Sequence, residues 1–255
     1  MTPNAGGLPA GFRIVCDDDM LRITHARGTA PRHIVSFTGV GHGLNGVQAE
    51  EFRRSLDSLT VADATYVIDK RRSWFNVTEA RIVDHLTALC AGSPRTITLG
   101  NSMGGFGAFY FASALPHCRR AIAFVPQFSV NPEYMPPSEG RWLEHRRGIL
   151  HHRITHALQH ASDDVDYIAF FGANDRLDMQ HAQLILRNGT RRTWVYLLDG
   201  HTHDVVTAIK RAGCLPKLLG LLTSEEGFEP DRILQFLRMH NLQVTLGMPH
   251  GALAT

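Results

Sequence analysis

Only three residues, Gly100-Asn101-Ser102, separate the apolar run Thr96 to Leu99 from the small-residue-rich segment Met103 to Leu115. A strand that passes so directly into a helix must reverse at one corner, and the corner residue takes a strained backbone conformation. The flanking Gly100 and Gly104 relieve the crowding around it. The Ser102 hydroxyl then stands clear of the sheet at the positive end of the helix. The backbone N–H of Met103 is placed to donate to a developing oxyanion. The string Gly100-Asn101-Ser102-Met103-Gly104 has the form G-x-S-x-G. A phosphate-binding helix start competes with this reading, but neither G-K-[ST] nor G-x-G-x-x-G accompanies the turn.

The rest of the chain repeats the same alternation. Apolar strands are expected at His33–Thr38, Thr65–Ile68, Thr96–Leu99, Arg120–Val125, Tyr167–Phe171 and Thr193–Leu198. Helices are expected at Gln48–Leu59, Asn76–Cys90, Met103–Leu115, Met179–Leu186, Asp204–Leu222 and Pro230–His240, followed by a loose tail. This pattern predicts an α/β fold, a mostly parallel sheet covered on both faces. Phe12–Cys16 and Met20–His25 flank the turn Asp17-Asp18-Asp19 and predict an antiparallel edge hairpin. From about residue 126 to 164 the rhythm breaks, with Pro132, Pro136, Pro137 and Gly140 and then a His- and Arg-rich stretch. This segment reads as a lid-like insertion within one domain spanning 1–255.

Composition narrows the function. With 26 Lys and Arg against 24 Asp and Glu, the formal charge is +2, too even to argue for nucleic acid or an anionic membrane. No run of about 18 apolar residues occurs, and the N-terminus has neither a basic start nor an apolar stretch. A soluble cytoplasmic protein is the expectation. The four cysteines are far apart and read as reduced, packed thiols.

A serine hydroxyl needs a base to accept its proton and a third group to orient that base. Strand Tyr167–Phe171 runs into Gly172-Ala173-Asn174-Asp175-Arg176-Leu177-Asp178. Asp175, just past the strand end, is the expected acid, and Asp178 reads as the cap of the next helix. Strand Thr193–Leu198 runs into Asp199-Gly200-His201-Thr202-His203-Asp204. His203, abutting the helix start, is the favoured base, with His201 as the alternative. A zinc site using both histidines lacks a second ligand pair at metal-type spacing.

In strand–helix order, nucleophile turn and Ser…Asp…His sequence order, the chain from His33 to about Leu222 resembles the α/β-hydrolase superfamily. The resemblance implies a doubly wound sheet, a Ser102–His203–Asp175 triad, an acyl-enzyme intermediate and no cofactor or metal. It also implies that the loop after the first parallel strand, F-T-G-V-G-H-G, supplies a second oxyanion donor, the N–H of Val40 after Gly39. The expected activity is hydrolysis of a carboxylic ester or thioester. An acyltransferase using the same residues and a non-catalytic binding module are the alternatives.

Substrate contacts are expected from Gly39 and His42 in the glycine-rich loop. Arg71, Arg72 and Trp74, in D-K-R-R-S-W-F-N, offer forked hydrogen bonds and stacking to a small-molecule or glycan ester, including an anionic one. The opposing reading packs Trp74 and Phe75 into the next helix and leaves both arginines solvated.

Overall fold

The computed structural model describes residues 11–41, 47–57 and 62–248. The chain order is β1 (Phe12–Asp17), β2 (Leu21–Ala26), β3 (Ala30–Phe37), α1 (Arg53–Asp57), β4 (Ala62–Asp69), α2 (Glu79–Cys90), β5 (Thr96–Asn101) and α3 (Met103–Ala112). It continues with β6 (Cys118–Phe124), α4 (Leu143–Arg146), β7 (Asp166–Gly172), α5 (Arg176–Asn188), β8 (Thr193–Leu198), α6 (Val205–Arg211), α7 (Leu215–Leu222), α8 (Pro230–Met239) and β9 (Val244–Gly247). The strands lie in one sheet in the order β1-β2-β4-β3-β5-β6-β7-β8-β9.

The neighbours from β4 through β8 pair in parallel, while β1 with β2, β2 with β4 and β8 with β9 are antiparallel. A parallel strand covered on both faces needs an unbroken apolar run, and every residue of β7 is accordingly buried. The edge strand β1 has no fully buried residue. The chain moves outward from β3 to β4 and then returns to place β5 on the other side of β3. Connections therefore diverge at the carboxyl ends of β3 and β5, the crevice where open α/β sheets place their ligands.

Helix α3 is apolar all round and all ten of its residues are buried, as a helix enclosed on every side must be. The amphipathic α2 instead buries Ile82, Leu86 and Cys90 at four-residue spacing. Each such aliphatic side chain contributes about 1.5–3 kcal/mol through burial. The inserted segment shares this core, because Ile149, Ile154, Ala157 and Leu158 are buried with the rest. Its backbone is tied down by hydrogen bonds from Ile154 N–H to Asn76 Oδ1 at 2.9 Å and from Ala157 N–H to the Phe128 carbonyl at 2.7 Å.

Three elements depart from the sequence expectation. Among the described residues helix α1 covers Arg53–Asp57, because the backbone before it serves as a strap; Ser58 and Leu59 of the expected helix lie outside the described residues. Ser36 Oγ donates to the Glu51 carbonyl at 2.8 Å, and Thr38 Oγ1 to the Ala49 carbonyl at 3.1 Å. The expected helix from Asp204 to Leu222 is two helices, broken where Gly213 takes φ +71° and Pro216 restarts the chain in the first turn of α7. The expected loose tail contains β9, which pairs antiparallel with β8 and covers that sheet edge.

The tightest approach in the sheet is that of α3 to β3. A Cβ on Gly104 would overlap the Phe37 carbonyl oxygen, and one on Gly100 would overlap the Gly104 carbonyl. Gly104→Ala is expected to lower unfolding free energy by about 1–3 kcal/mol through overpacking. Gly92→Ala, whose Cβ would meet nothing within 4 Å, is expected to stay within about 0.5 kcal/mol. Urea denaturation of the two variants checks the contrast.

Candidate active site

Strand β5 delivers Ser102 to the carboxyl edge of the sheet. Ser102 has φ 55° and ψ −120°, a conformation that a non-glycine residue holds only when its surroundings over-determine it. Its N–H donates to the Phe124 carbonyl at 2.8 Å, and its carbonyl accepts from Phe106 N–H at 3.1 Å. Both ends of the corner are thereby fixed, one to β6 and the other to α3. The Met103 N–H begins α3 immediately beside the hydroxyl.

The Ser102 Oγ lies 3.2 Å from His203 Nε2. On the far side of the ring, His203 Nδ1 lies 2.8 Å from Asp178 Oδ2 and 3.0 Å from Oδ1. A carboxylate can only accept, so Nδ1 carries the proton and Nε2 is free to receive the serine hydroxyl proton. His203 is 28% exposed at its side chain and Asp178 only 1%. The ring is thus open to an incoming molecule while its carboxylate partner is sealed.

The sequence expectation for the acid is corrected here: the carboxylate facing His203 is Asp178, and Asp175 is the helix cap. Asp175 accepts from the N–H groups of Leu177 at 2.9 Å and Asp178 at 3.0 Å, which directs its carboxylate to the start of α5. Helix α5 begins at Arg176, directly after it, so the next acidic side chain lies one turn inside the helix. That position aims Asp178 at the loop between β8 and α6. Burial pushes the Asp178 carboxyl up, but hydrogen bonds and charge from His203 and Arg141 outweigh it and hold the group below its ordinary range.

His201 stands apart from Ser102. Its carbonyl accepts from Asn174 N–H at 2.9 Å, and its Nδ1 lies 4.0 Å from Asp204. Among the described residues, no three His, Cys, Asp or Glu side chains are grouped as a metal site.

Gln127, unremarked in the sequence, touches the nucleophile directly. Its Nε2 donates to Ser102 Oγ at 3.2 Å, and its Oε1 accepts from Trp74 Nε1 at 3.1 Å. An indole nitrogen only donates, so Trp74 fixes which end of the amide faces the serine. With Gln127 donating to Oγ, the hydroxyl proton is left pointing towards His203. The available signal was position alone: Pro126-Gln127 follows directly after β6, at the same sheet edge as Ser102.

The Gly39-Val40 loop follows β3 and is fastened by residues the sequence did not mark. Glu51 accepts from Gly39 N–H at 2.9 Å and from Asn101 Nδ2 at 3.2 Å, joining this loop to the nucleophile turn. Desolvation pushes the Glu51 carboxyl up to about 7 against those two donors. Gln48 Nε2 donates to the Gly39 carbonyl at 3.1 Å, and Arg72 Nε to the Val40 carbonyl at 2.9 Å.

The remaining expected substrate contacts separate. His42 lies outside the described residues. Arg71 pairs with Asp19 in the edge hairpin at 2.7 Å, away from Ser102. Trp74 is fully buried and is joined to Ser102 through Gln127. The turn that holds it is organised by the buried Asp69, which accepts from the N–H groups of Arg71, Ser73 and Phe75 and from the Ser73 hydroxyl.

No protein-family model matches the sequence, and no curated protein matches it. Solved structures do match in shape. Thermogutta terrifontis esterase 2, solved phosphonylated by sarin, shares 14% identity and a TM-score of 0.56 over 87% of this chain and 100% of that one. Pyrococcus horikoshii acylaminoacyl peptidase shares 12% identity and a TM-score of 0.54 over 88% of this chain. The chain spans only 43% of that peptidase's length. The bottromycin epimerase BotH, at 16% identity and a TM-score of 0.55, covers 83% of this chain and 99% of its own. Among the described residues, no helix is long and apolar enough to cross a membrane. With esterases and a peptidase among its structural neighbours, the chain has the α/β-hydrolase fold.

Proposed function

We propose that the protein is a serine hydrolase that cleaves a carboxylic ester or thioester through an acyl-enzyme on Ser102. The continuous array Ser102 Oγ–His203–Asp178 carries this reading. Ser102 Oγ attacks the ester carbonyl as His203 Nε2 takes the hydroxyl proton, and Asp178 stabilises the imidazolium that forms. The carbonyl oxygen becomes an oxyanion, for which the N–H groups of Met103 and Val40 are the donors in this reading. Collapse returns the proton from His203 to the leaving alcohol or thiol. Water then repeats the sequence on the acyl-enzyme, releasing the acid and restoring Ser102.

The fold alone does not select this chemistry, since an epimerase shares it. What favours hydrolysis is the serine held in a strained turn with its proton directed at a base. Arg71 and Arg72 are already engaged with Asp19 and the Val40 carbonyl, so an anionic ester is not specifically favoured. A neutral small-molecule or glycan ester suits the site equally.

A fluorophosphonate probe with peptide mass spectrometry tests the assignment. Labelling at Ser102 is expected, with loss in Ser102→Ala and His203→Ala and retention in His201→Ala. Asp178→Asn is expected to slow p-nitrophenyl ester hydrolysis roughly 10³–10⁴-fold. Asp175→Asn, which keeps a good cap, is expected to change it less than about threefold. Labelling that survives Ser102→Ala, or no labelling of the folded protein, would overturn the reading.

Gln127→Leu preserves bulk but removes the donor to Ser102 and strands the Trp74 N–H. A fall of about tenfold in kcat/KM is expected, the scale of one buried hydrogen bond. Gln127→Ala tested beside it separates loss of the bond from loss of packing: similar rates in the two variants identify the bond.

A further inference from the structure

The acid partner of His203 is gripped from its other side by the inserted segment. Arg141 Nη1 donates to Asp178 Oδ1 at 2.8 Å, while Arg141 Nε and Nη2 fork onto Glu139, with Nη2 to Oε2 at 2.7 Å. Arg141 N–H also donates to Glu139 Oε1 at 2.8 Å, closing the turn on itself. Arg146, almost buried, donates through Nη1 to the carbonyls of Glu139 and Arg141 at 2.9 and 3.1 Å. The turn is therefore a built strut, not a loose lid edge.

The strut also closes a ring around the nucleophile. His181 lies one turn beyond Asp178 on α5, and its Nδ1 accepts from Phe128 N–H at 3.0 Å. Its proton is then on Nε2, which donates to Glu139 Oε2 at 2.9 Å. Phe128 follows Gln127, whose amide meets Ser102. Contacts thus run without a break from Ser102 through Gln127, Phe128, His181, Glu139, Arg141, Asp178 and His203 back to Ser102.

We propose that Arg141 and Glu139 are positioning residues of the Ser102–His203–Asp178 array: Arg141 is the resting counter-charge of Asp178, and Glu139 holds Arg141 and offsets its charge. This rests on the serine-hydrolase reading. A base that is to take the Ser102 proton must itself be uncharged, so without Arg141 the Asp178 carboxylate, almost without exposure, would have no counter-charge, which is costly. The Arg141 guanidinium removes that cost. Left unbalanced, it would also draw the carboxylate's field away from His203 and weaken its hold on the imidazolium. Glu139 restores the balance, and neutral His181 leaves its full negative charge facing Arg141. Burial pushes the Glu139 carboxyl up, but the hydrogen bonds of His181 and Arg141 hold it well below its ordinary range, so it stays ionised.

Among the described residues, the charged groups that meet His203 come from two elements. Asp178 comes from α5 and Arg141 from the insertion, with Glu139 and His181 behind them. Asp175 lies 4.0 Å from Arg141 at the cap of α5, and Asp204 pairs with His201 on His203's own loop. Changing either strut residue therefore alters the field at His203 in a direction set by its charge.

The test follows the His203 ring signals by NMR across pH, assigned by their loss in His203→Asn, beside the acid limb of kcat/KM. In Arg141→Gln the His203 midpoint and the acid limb are expected to rise by about one pH unit, and in Glu139→Gln to fall by a similar amount. Arg141→Lys is expected to keep the midpoint near wild type while lowering kcat several-fold, because the charge stays and the fork is lost. Midpoints that stay fixed, or that move in the same direction in both neutral variants, overturn the proposal. Should Arg141→Gln fail to fold, the direction of the Glu139→Gln shift decides alone. A wild-type protein that titrates normally but takes no probe at Ser102 overturns the hydrolase reading, and the proposal with it.

Discussion

The structure around the site depends on one close approach, helix α3 against strand β3 at Gly104. A helix with any side chain there would stand off the sheet, and the corner at Ser102 would relax. With Gly104 seated on the Phe37 carbonyl and the Ser102 N–H bonded to Phe124, the positive-φ conformation of Ser102 is held from both sides. The strain is local, about 1–3 kcal/mol for such a residue, and the packing of a fully buried ten-residue helix outweighs it. What the strain gives in return is a hydroxyl that projects from the sheet towards His203.

Around that corner, Asp69, Trp74, Gln127 and Glu51 each meet a partner of the right kind. Asp69 binds the N–H groups of its own turn and so fixes Trp74 and Phe75 at positive φ. Trp74 fixes the Gln127 amide, and Gln127 meets the serine. On the opposite flank, Glu51 joins the Gly39 loop to Asn101, beside the nucleophile. Networks of this type define one geometry because breaking any member strands a buried donor or acceptor.

The inserted segment takes its meaning from the same logic. It is rich in arginine and histidine. In the folded chain Arg141 and Arg146 point inward: Arg146 pins a turn, and Arg141 meets a carboxylate of that turn and another on α5. Their charges are taken up by contacts inside the fold.

The alternation of apolar strands with helices, the three-residue corner before Met103 and the two histidines after β8 were all written in local sequence, because strand and helix periodicity and tight turns are local properties. The fold class and the place of Ser102 at the corner were therefore legible without coordinates. The choice between Asp175 and Asp178 was not, because it turns on where α5 starts: a start at Met179 would make Asp178 the cap, whereas the start at Arg176 makes Asp175 the cap and places Asp178 inside the helix. The choice between His201 and His203 was legible only in part: the nearby helix start favoured His203, and it is the path of that loop over β7 that faces its ring to Ser102. Gln127, Glu51, Arg141 and Glu139 lie between 12 and 53 residues from the partners they reach across the fold: Gly39 for Glu51, Trp74 for Gln127, Asp178 for Arg141 and His181 for Glu139. Pairings over such separations leave no periodic trace in sequence, and only the tertiary structure, by burying those groups together, decided them.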